Sequence, residues 1–121
     1  MTKSFELQLN LKTLAEAAGV KIERLRAVGG GAKSKTWLQP KADMTVKEVV
    51  SLAVPECGCL GAAILAGVGV NDYSSVDEAV ELLVAEVDLF QPNMDMHEQY
   101  AGRFAIYSEL YPALKDVTRK M

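Results

Sequence analysis

The chain has 121 residues, of which 50% are hydrophobic and 24% charged, and its formal net charge is -3. A domain of this length buries roughly two thirds of the surface that its unfolded chain exposes, so it can build a core without disulfides or metals. Thirteen Lys and Arg stand against sixteen Asp and Glu with no basic block among them, which argues against nucleic acid as a partner.

The first segment carries two overlapping patterns. Phe5, Leu7, Leu9 and Leu11 alternate with polar residues, and on pattern alone this predicts a half-buried strand. From Leu11 onward the apolar positions recur at helical spacing, and Gly19 stands where a helix would end. An amphipathic helix with a glycine stop is therefore expected before residue 19.

A strand, a glycine turn and a helix follow as the most informative unit of the chain. Leu25–Val28 predicts a short strand that runs directly into Gly29, Gly30, Gly31 and Ala32, and the segment from Lys33 to about Lys41 is helical in character. Lys47–Val54 predicts a second strand, closed by Pro55 because proline cannot donate to a ladder.

The apolar segment Cys57–Val70 predicts a core helix. It is about fourteen residues long and contains four glycines, whereas a bilayer span takes about twenty apolar residues. The small residues in its first part are typical of close helix packing. Residues 1–6 carry no apolar secretory signal, so we expect a cytoplasmic protein with no membrane partner.

Three more elements complete the chain. Ser75 is placed to cap a helix whose apolar face runs from Val76 to Val84, and Val87–Phe90 predicts a short extended piece stopped by Pro92. The last helix begins near Met94 or Asp95. It carries a stripe that is typical of a core-facing side, formed by Tyr100, Phe104, Tyr107, Tyr111 and Leu114.

The two cysteines predict neither a bridge nor a metal site. Cys57 and Cys59 are one residue apart, a spacing that disfavours relaxed disulfide geometry, and His97 has no ligand partner at metal-binding spacing. We expect two mostly buried thiols at a helix start. A redox or metal protein built on this pair remains a third, weaker hypothesis.

Helices alternating with short strands predict an α/β layer architecture in one domain. Two convincing strands and one doubtful one make an incomplete sheet for so many helices, so the chain is expected to be part of a larger fold.

The glycine turn is the candidate binding element. A strand that ends in consecutive glycines before a helix offers backbone N–H groups to an anion and lets a phosphate approach the main chain. The Walker A pattern fails, because Ala32 and Ala27 stand where it requires glycine, and the dinucleotide pattern fails at Ser34. The residues alone leave open a nucleotide contact or a tight turn that needs positive φ.

In combination the motifs carry a family resemblance. The segment from Gly29 to Asp43, the strand ending at Pro55 and the segment from Glu56 to Ala66 resemble the C-terminal domain of the FGGY carbohydrate kinases, most closely the xylulose-kinase-like branch. The resemblance implies a partial ribonuclease-H-like fold of the actin-like ATPase superfamily. It also implies transfer of the γ-phosphate of ATP, with Mg²⁺, to a sugar hydroxyl, and a helix rather than a strand at Phe5–Ala18.

Carried onto this sequence, the resemblance implies a set of nucleotide contacts, with Gly29, Gly30, Gly31 and Ala32 against the phosphates and ribose and Ser34 and Lys35 near the nucleoside. Gly61 and Ala62 would pack the following helix. The family's proton-accepting aspartate, sugar site and first phosphate loop precede the matched region, and Asp43 does not match that base. No catalytic residue and no side chain that binds Mg²⁺ is therefore expected in residues 1–121. Val46 and Asn71 stand where glycine is common in the family.

Two functions from different classes follow. The first is the ATP-side, C-terminal portion of a pentulose-type sugar kinase, inactive without an N-terminal sugar-binding domain, because phosphoryl transfer depends on positioning. The second is a non-catalytic interaction module derived from such a kinase, which pairs with a kinase N-terminal part or with itself through open sheet edges. Self-association is expected under both.

Overall fold

The computed structural model describes residues 2–54 and 56–120. It contains five helices and three strands, connected at one point by a short 3-10 helix over Gly30–Lys33. In chain order they are α1 (Thr2–Ala18), β1 (Arg24–Ala27), α2 (Lys35–Thr45), β2 (Glu48–Leu52), α3 (Cys57–Gly69), α4 (Val76–Leu83), β3 (Glu86–Phe90) and α5 (Met94–Thr118). The predicted unit of strand, glycine turn and helix is confirmed, with the helix starting at Lys35 rather than Lys33.

The three strands form one sheet in the order β1-β2-β3. β1 pairs with β2 in parallel, with Leu25 opposite Val49, and β2 pairs with β3 antiparallel, with Val49 opposite Phe90. The register slips between Val50 and Leu52. β1 and β3 are therefore the edges of the described sheet, and the third strand is the extended piece at Val87–Phe90, not the first segment.

One face of the sheet carries the core. Leu38 and Ala42 of α2 lie fully buried on Val49 and Phe90, and Leu25 and Ala27 of β1 pack beside them. α1 and α5 flank α2 on the same side. The opposite face also carries a fully buried side chain, Val50, beside an ion-pair group in which Glu86 pairs with both Arg24 (2.7 Å) and Arg26 (3.3 Å).

The first segment is a helix, and the strand predicted from its alternation is wrong. Phe5 is 4% exposed and stacks against Phe104 at 5.9 Å and Tyr107 at 5.5 Å between ring centroids. The helix puts Phe5 against these α5 rings and leaves Leu14 largely exposed, so tertiary packing overrides the local pattern. The helix implied by the family resemblance is confirmed, and Gly19 ends it at φ +64°.

The apolar helix α3 is not a core helix within this chain. Ile64 is its buried side chain, whereas Leu65 is 65% exposed, and α3 packs chiefly on α4. Its two cysteines are free thiols, Cys57 half-buried and Cys59 exposed, so the expected burial of both is wrong. Pro55, the predicted stop of the second strand, lies outside the described residues. No helix in the described ranges is long and apolar enough to cross a membrane.

The aromatic stripe of α5 is half-buried in its first part and exposed beyond it, and none of its residues is fully buried. Phe104 and Tyr107 pack on α1, and the Tyr107 hydroxyl donates to Glu6 at 2.6 Å. Tyr111 and Leu114 are 66% and 51% exposed, so the stripe continues past the end of its partner helix.

Both positions where the family favours glycine adopt left-handed backbone. Val46, which follows α2, has φ +52°, and Asn71, which follows α3, has φ +63°. Asparagine tolerates this region, but a β-branched valine there is a strained outlier. At both positions the residue differs from the glycine that is common in the family, but the left-handed turn is retained.

Candidate functional site

The glycine turn lies at the carboxyl edge of the two parallel strands. Gly29 follows β1 with φ +79° and ψ -175°, a conformation that is essentially restricted to glycine. The Gly29 carbonyl accepts from the Ala32 N–H at 3.0 Å, and the Gly31 carbonyl accepts from the Ser34 N–H at 3.4 Å. These two N–H groups are engaged inside the turn, so an anion must be bound by the other main-chain donors.

A niche opens beside this turn. It has a volume of about 210 Å³ and is lined from the turn, from the end of β2 and from the start of β3. Its residues are Ala32, Lys33, Ser51, Leu52, Ala53, Val87 and Asp88. Ligands of α/β sheets bind outside the carboxyl ends of parallel strands, and the niche occupies that position.

Asp88 is the acidic group of the niche. Lys35 donates to Asp88 Oδ1 at 2.8 Å, and the backbone N–H of Asp88 donates to Ser51 Oγ at 3.1 Å. The Ser51 hydroxyl in turn donates to Asp88 Oδ2 at 3.4 Å. The Lys35 ammonium thus offsets a carboxylate that would otherwise repel phosphate.

Sequence analysis did not single out Ser51 or Asp88. They are 37 positions apart, and each interrupts an apolar strand with a polar residue, Ser51 in EVVSL and Asp88 in EVDLF. That interruption is the one signal available in the sequence. The antiparallel pairing of β2 with β3 brings the two residues together.

Of the six predicted nucleotide contacts, Ala32 lines the niche and the other five do not. Gly29, Gly30 and Gly31 form the bend, and Ala32 is buried in the wall. Ser34 is the N-cap residue of α2, and its side chain makes no capping hydrogen bond. Lys35 contacts the niche only through its ion pair with Asp88, which lines the niche.

Trp37 lies directly against the turn. A Cβ added to Gly31 would lie 3.8 Å from the Trp37 ring, an ordinary contact distance. The indole is 48% exposed, and the ammonium groups of Lys3 and Lys41 lie 5.4 Å and 5.6 Å from a ring centroid. The only tryptophan in the chain can therefore report on events at the glycine turn.

Asp43 is a structural carboxylate. It is 3% exposed, and its Oδ1 accepts from Gln39 Nε2 at 2.7 Å and from the backbone N–H of Asn93 at 2.9 Å. Asn93 caps α5 through its own side chain. Asp43 thereby ties the end of α2 to the start of α5, which agrees with its mismatch to the family's catalytic base.

Comparison with known proteins gives one family. The model described as "FGGY family of carbohydrate kinases, C-terminal domain" matches residues 4–70, which include α1, the glycine turn and α3.

Within the part of the chain that the structure describes, no three His, Cys, Asp or Glu side chains are grouped as metal ligands.

The relatives are kinases of several small molecules. A xylulose kinase of Staphylococcus epidermidis is 33% identical over 101 residues, which cover 84% of this chain and 20% of the relative. An autoinducer-2 kinase of Yersinia enterocolitica is 39% identical over 102 residues, or 84% of this chain and 19% of the relative. The crystal structure of Plasmodium falciparum glycerol kinase with ADP matches with a TM-score of 0.73 and 25% identity, over 88% of this chain and 22% of that one. The chain spans about a fifth of the length of the curated relatives it matches.

Proposed function

The chain belongs to the FGGY family of carbohydrate kinases, as its C-terminal domain, and we propose on that premise that it forms the ATP side of a kinase that transfers the γ-phosphate of ATP to a sugar hydroxyl. The α/β fold expected from the sequence is confirmed as that of this domain. The proposed substrate class is a pentulose such as xylulose, in line with the xylulose kinase relatives.

One observation carries the proposal: the glycine turn borders a niche at the carboxyl edge of the parallel strands. Phosphoryl transfer is catalysed mainly by positioning and by stabilisation of charge, so a backbone that a phosphate can approach closely is the required element. We assign the phosphates to the turn at Gly29–Ala32. The nucleoside then lies toward Ser34 and Lys35.

The niche chemistry fits a nucleotide. The paired Asp88 and Ser51 offer acceptors to hydroxyl donors such as those of a ribose, and Lys33 adds an ammonium group to the lining. ATP with Mg²⁺ supplies the phosphoryl group when bound. A glycerol kinase with the same fold was crystallised with ADP, which supports a nucleotide at this domain.

We further propose that a polypeptide of these 121 residues does not phosphorylate sugar. The niche of about 210 Å³ is smaller than the roughly 300–1,000 Å³ of complete small-molecule sites. Its aspartate is held by a lysine, and the buried Asp43 is held by two donors, so neither is placed as a free general base. Sugar-dependent release of ADP by this polypeptide above background would contradict this part of the proposal.

A titration of Trp37 fluorescence with Mg-ATP tests the nucleotide site, with AMP and buffer as controls. We expect a saturable change in the wild type and its loss in Gly31→Ala. A Cβ at Gly31 meets only Trp37, at 3.8 Å, so that variant keeps its fold while blocking close approach to the main chain. Gly102→Ala on α5, where a Cβ meets nothing within 4 Å, is the matched control.

The proposal fails if Mg-ATP up to millimolar concentration leaves the wild-type fluorescence unchanged. It also fails if Gly31→Ala and Gly102→Ala give the same titration curve as the wild type.

The second candidate function is a non-catalytic pairing module, and the open edge of β1 favours it. An unpaired strand edge is a template for another strand, and the exposed apolar side of α3, with Leu65 as its largest exposed residue, extends the available surface. The pairing partner is a kinase N-terminal part or a second copy of this chain. Sedimentation that shows a monomer, together with no binding of a hydrophobic dye, would count against this function.

A further inference from the structure

A second cavity lies at the opposite end of the sheet from the glycine turn. Its volume is about 500 Å³, within the range of roughly 300–1,000 Å³ that is typical of small-molecule sites. Ile22 and Lys47 line it, and they directly precede the region where β1 and β2 begin. Because the glycine turn follows the end of β1, this cavity is separate from the candidate nucleotide site.

Three elements enclose the cavity. The second half of α1 forms one wall, with Leu11 and Ala15, and the loop after Gly19 forms another. The side chain of Phe104 closes the cavity from α5. Gly19 at φ +64° turns the chain sharply after α1, which keeps Val20 and Ile22 beside the helix they follow. The interior is therefore mainly aliphatic and aromatic.

The polar part of the lining is positively charged. Lys12, Lys21 and Lys47 are lining residues, and no Asp or Glu is among the residues that line the cavity within the described chain. Lys21 pairs with Glu23 at 2.6 Å outside the lining, an ion pair whose partners are both well exposed. Glu23 neutralises Lys21 and also interacts with Lys47, so the positive charge around the cavity comes chiefly from Lys12 and Lys47.

We propose that this cavity binds an aliphatic monocarboxylate, with its hydrocarbon tail against Leu11, Ile22 and Phe104 and its carboxylate near Lys12 and Lys47. The apolar walls favour the tail because its burial removes apolar surface from water. The ammonium groups favour the anionic head over a neutral or cationic one. Because the rim is exposed, the ligand carboxylate stays hydrated while it pairs with the lysine ammonium groups, and the cost of burying a charge is avoided.

Calorimetric titration with octanoate tests the assignment, with octanol and octylammonium as probes of the same tail length. All three are used below the concentration at which they self-associate. We expect octanoate to bind, octanol to bind more weakly and octylammonium to give no measurable heat. Equal binding of octanoate and octylammonium, or no binding of octanoate, would overturn the proposal.

Two kinds of variant locate the site. Combining Lys12→Gln with Lys47→Gln is expected to weaken octanoate binding about tenfold, since each exposed charge pair contributes little and two are removed. The matched control combines Lys115→Gln, in the last turn of α5, with Lys120→Gln, just after that helix; neither lysine lines the cavity. An equal loss in both double variants would show a non-specific charge effect and would refute the site.

Ala15→Phe provides an independent test, because a large side chain at this half-buried lining position fills the cavity without removing a charge. Circular dichroism and the Trp37 response to Mg-ATP check that the variant remains folded. We expect it to abolish octanoate binding while the nucleotide response persists. Unchanged octanoate binding in folded Ala15→Phe contradicts the proposal, and if this variant does not fold, the lysine variants decide.

Discussion

Gly29→Ala tests the backbone of the glycine turn, with Gly30→Ala as its matched partner. A Cβ built on either residue meets nothing within 4 Å, so steric contact does not distinguish them. Gly29 has φ +79° and ψ -175°, whereas Gly30 begins the 3-10 helix with ordinary negative φ. The pair therefore isolates the conformational cost of an L-residue at the first glycine.

The magnitude follows from two opposing effects. An L-residue held in the conformation of Gly29 costs about 1–3 kcal/mol, and replacing glycine by alanine restricts the unfolded chain, which returns about 0.4–1 kcal/mol. We expect Gly29→Ala to lower the free energy of unfolding by about 1–2 kcal/mol and Gly30→Ala to leave it equal or slightly higher. The unfolded-state effect is common to both variants and cancels in their difference.

Urea denaturation followed by circular dichroism and by Trp37 fluorescence measures both variants. Coincident curves from the two probes establish a single cooperative transition. Equal unfolding free energies for the two variants, within about 0.3 kcal/mol, would refute the argument that this turn requires glycine for its backbone. A destabilised Gly30→Ala would do the same, because it would point to packing that the structure does not contain.

The remaining predictions concern buried and capping groups. Asp43→Ala removes the acceptor of the Asn93 N–H and one of the two acceptors of Gln39 Nε2, and it should cost about 2 kcal/mol in urea denaturation. Asp43→Asn keeps an acceptor oxygen and should cost about 1 kcal/mol. A loss no larger than that of the exposed Asp116→Ala would contradict this role. Ser75→Ala removes the side-chain acceptor for the Glu78 N–H and should lower stability by about 1 kcal/mol, and unchanged unfolding would show that the cap contributes nothing. Hydrogen bonds from the hydroxyl and the backbone N–H of Ser74 lower the pKa of Glu78 from its ordinary value of 4.5. The ionised Glu78 carboxylate therefore contributes its full stabilisation above pH 4.5, and this stabilisation is lost as the pH falls through the lowered pKa. Glu78→Gln should make the free energy of unfolding depend less on pH in that range. The same pH dependence in Glu78→Gln and in the wild type would contradict the assignment.

Local chemistry made several features predictable from the sequence. A strand that runs into consecutive glycines before a helix specifies its turn within about ten residues, and the Ser75 cap depends on a donor only three residues away. Each of these outcomes depends on neighbours in the chain, so the pattern was sufficient to predict it.

Other features depended on partners distant in the chain. The alternation at Phe5, Leu7 and Leu9 fits a strand, but the rings of α5, about a hundred residues away, bury Phe5 on a helix. Ser51 and Asp88 meet only because β2 and β3 pair, so their place in the niche could not be inferred from spacing.

The exposed side of α3 is a second feature that the sequence pattern did not predict correctly. The composition of this helix predicts burial, yet hydrophobicity specifies only that apolar surface avoids water, not which surface will cover it. The sequence by itself determined the helices and strand segments after residue 19, the glycine turn and the family resemblance. The tertiary structure decided the fate of the first segment, the wall of the niche and the division of apolar surface between core and exterior, because those depend on long-range contacts that no local pattern encodes.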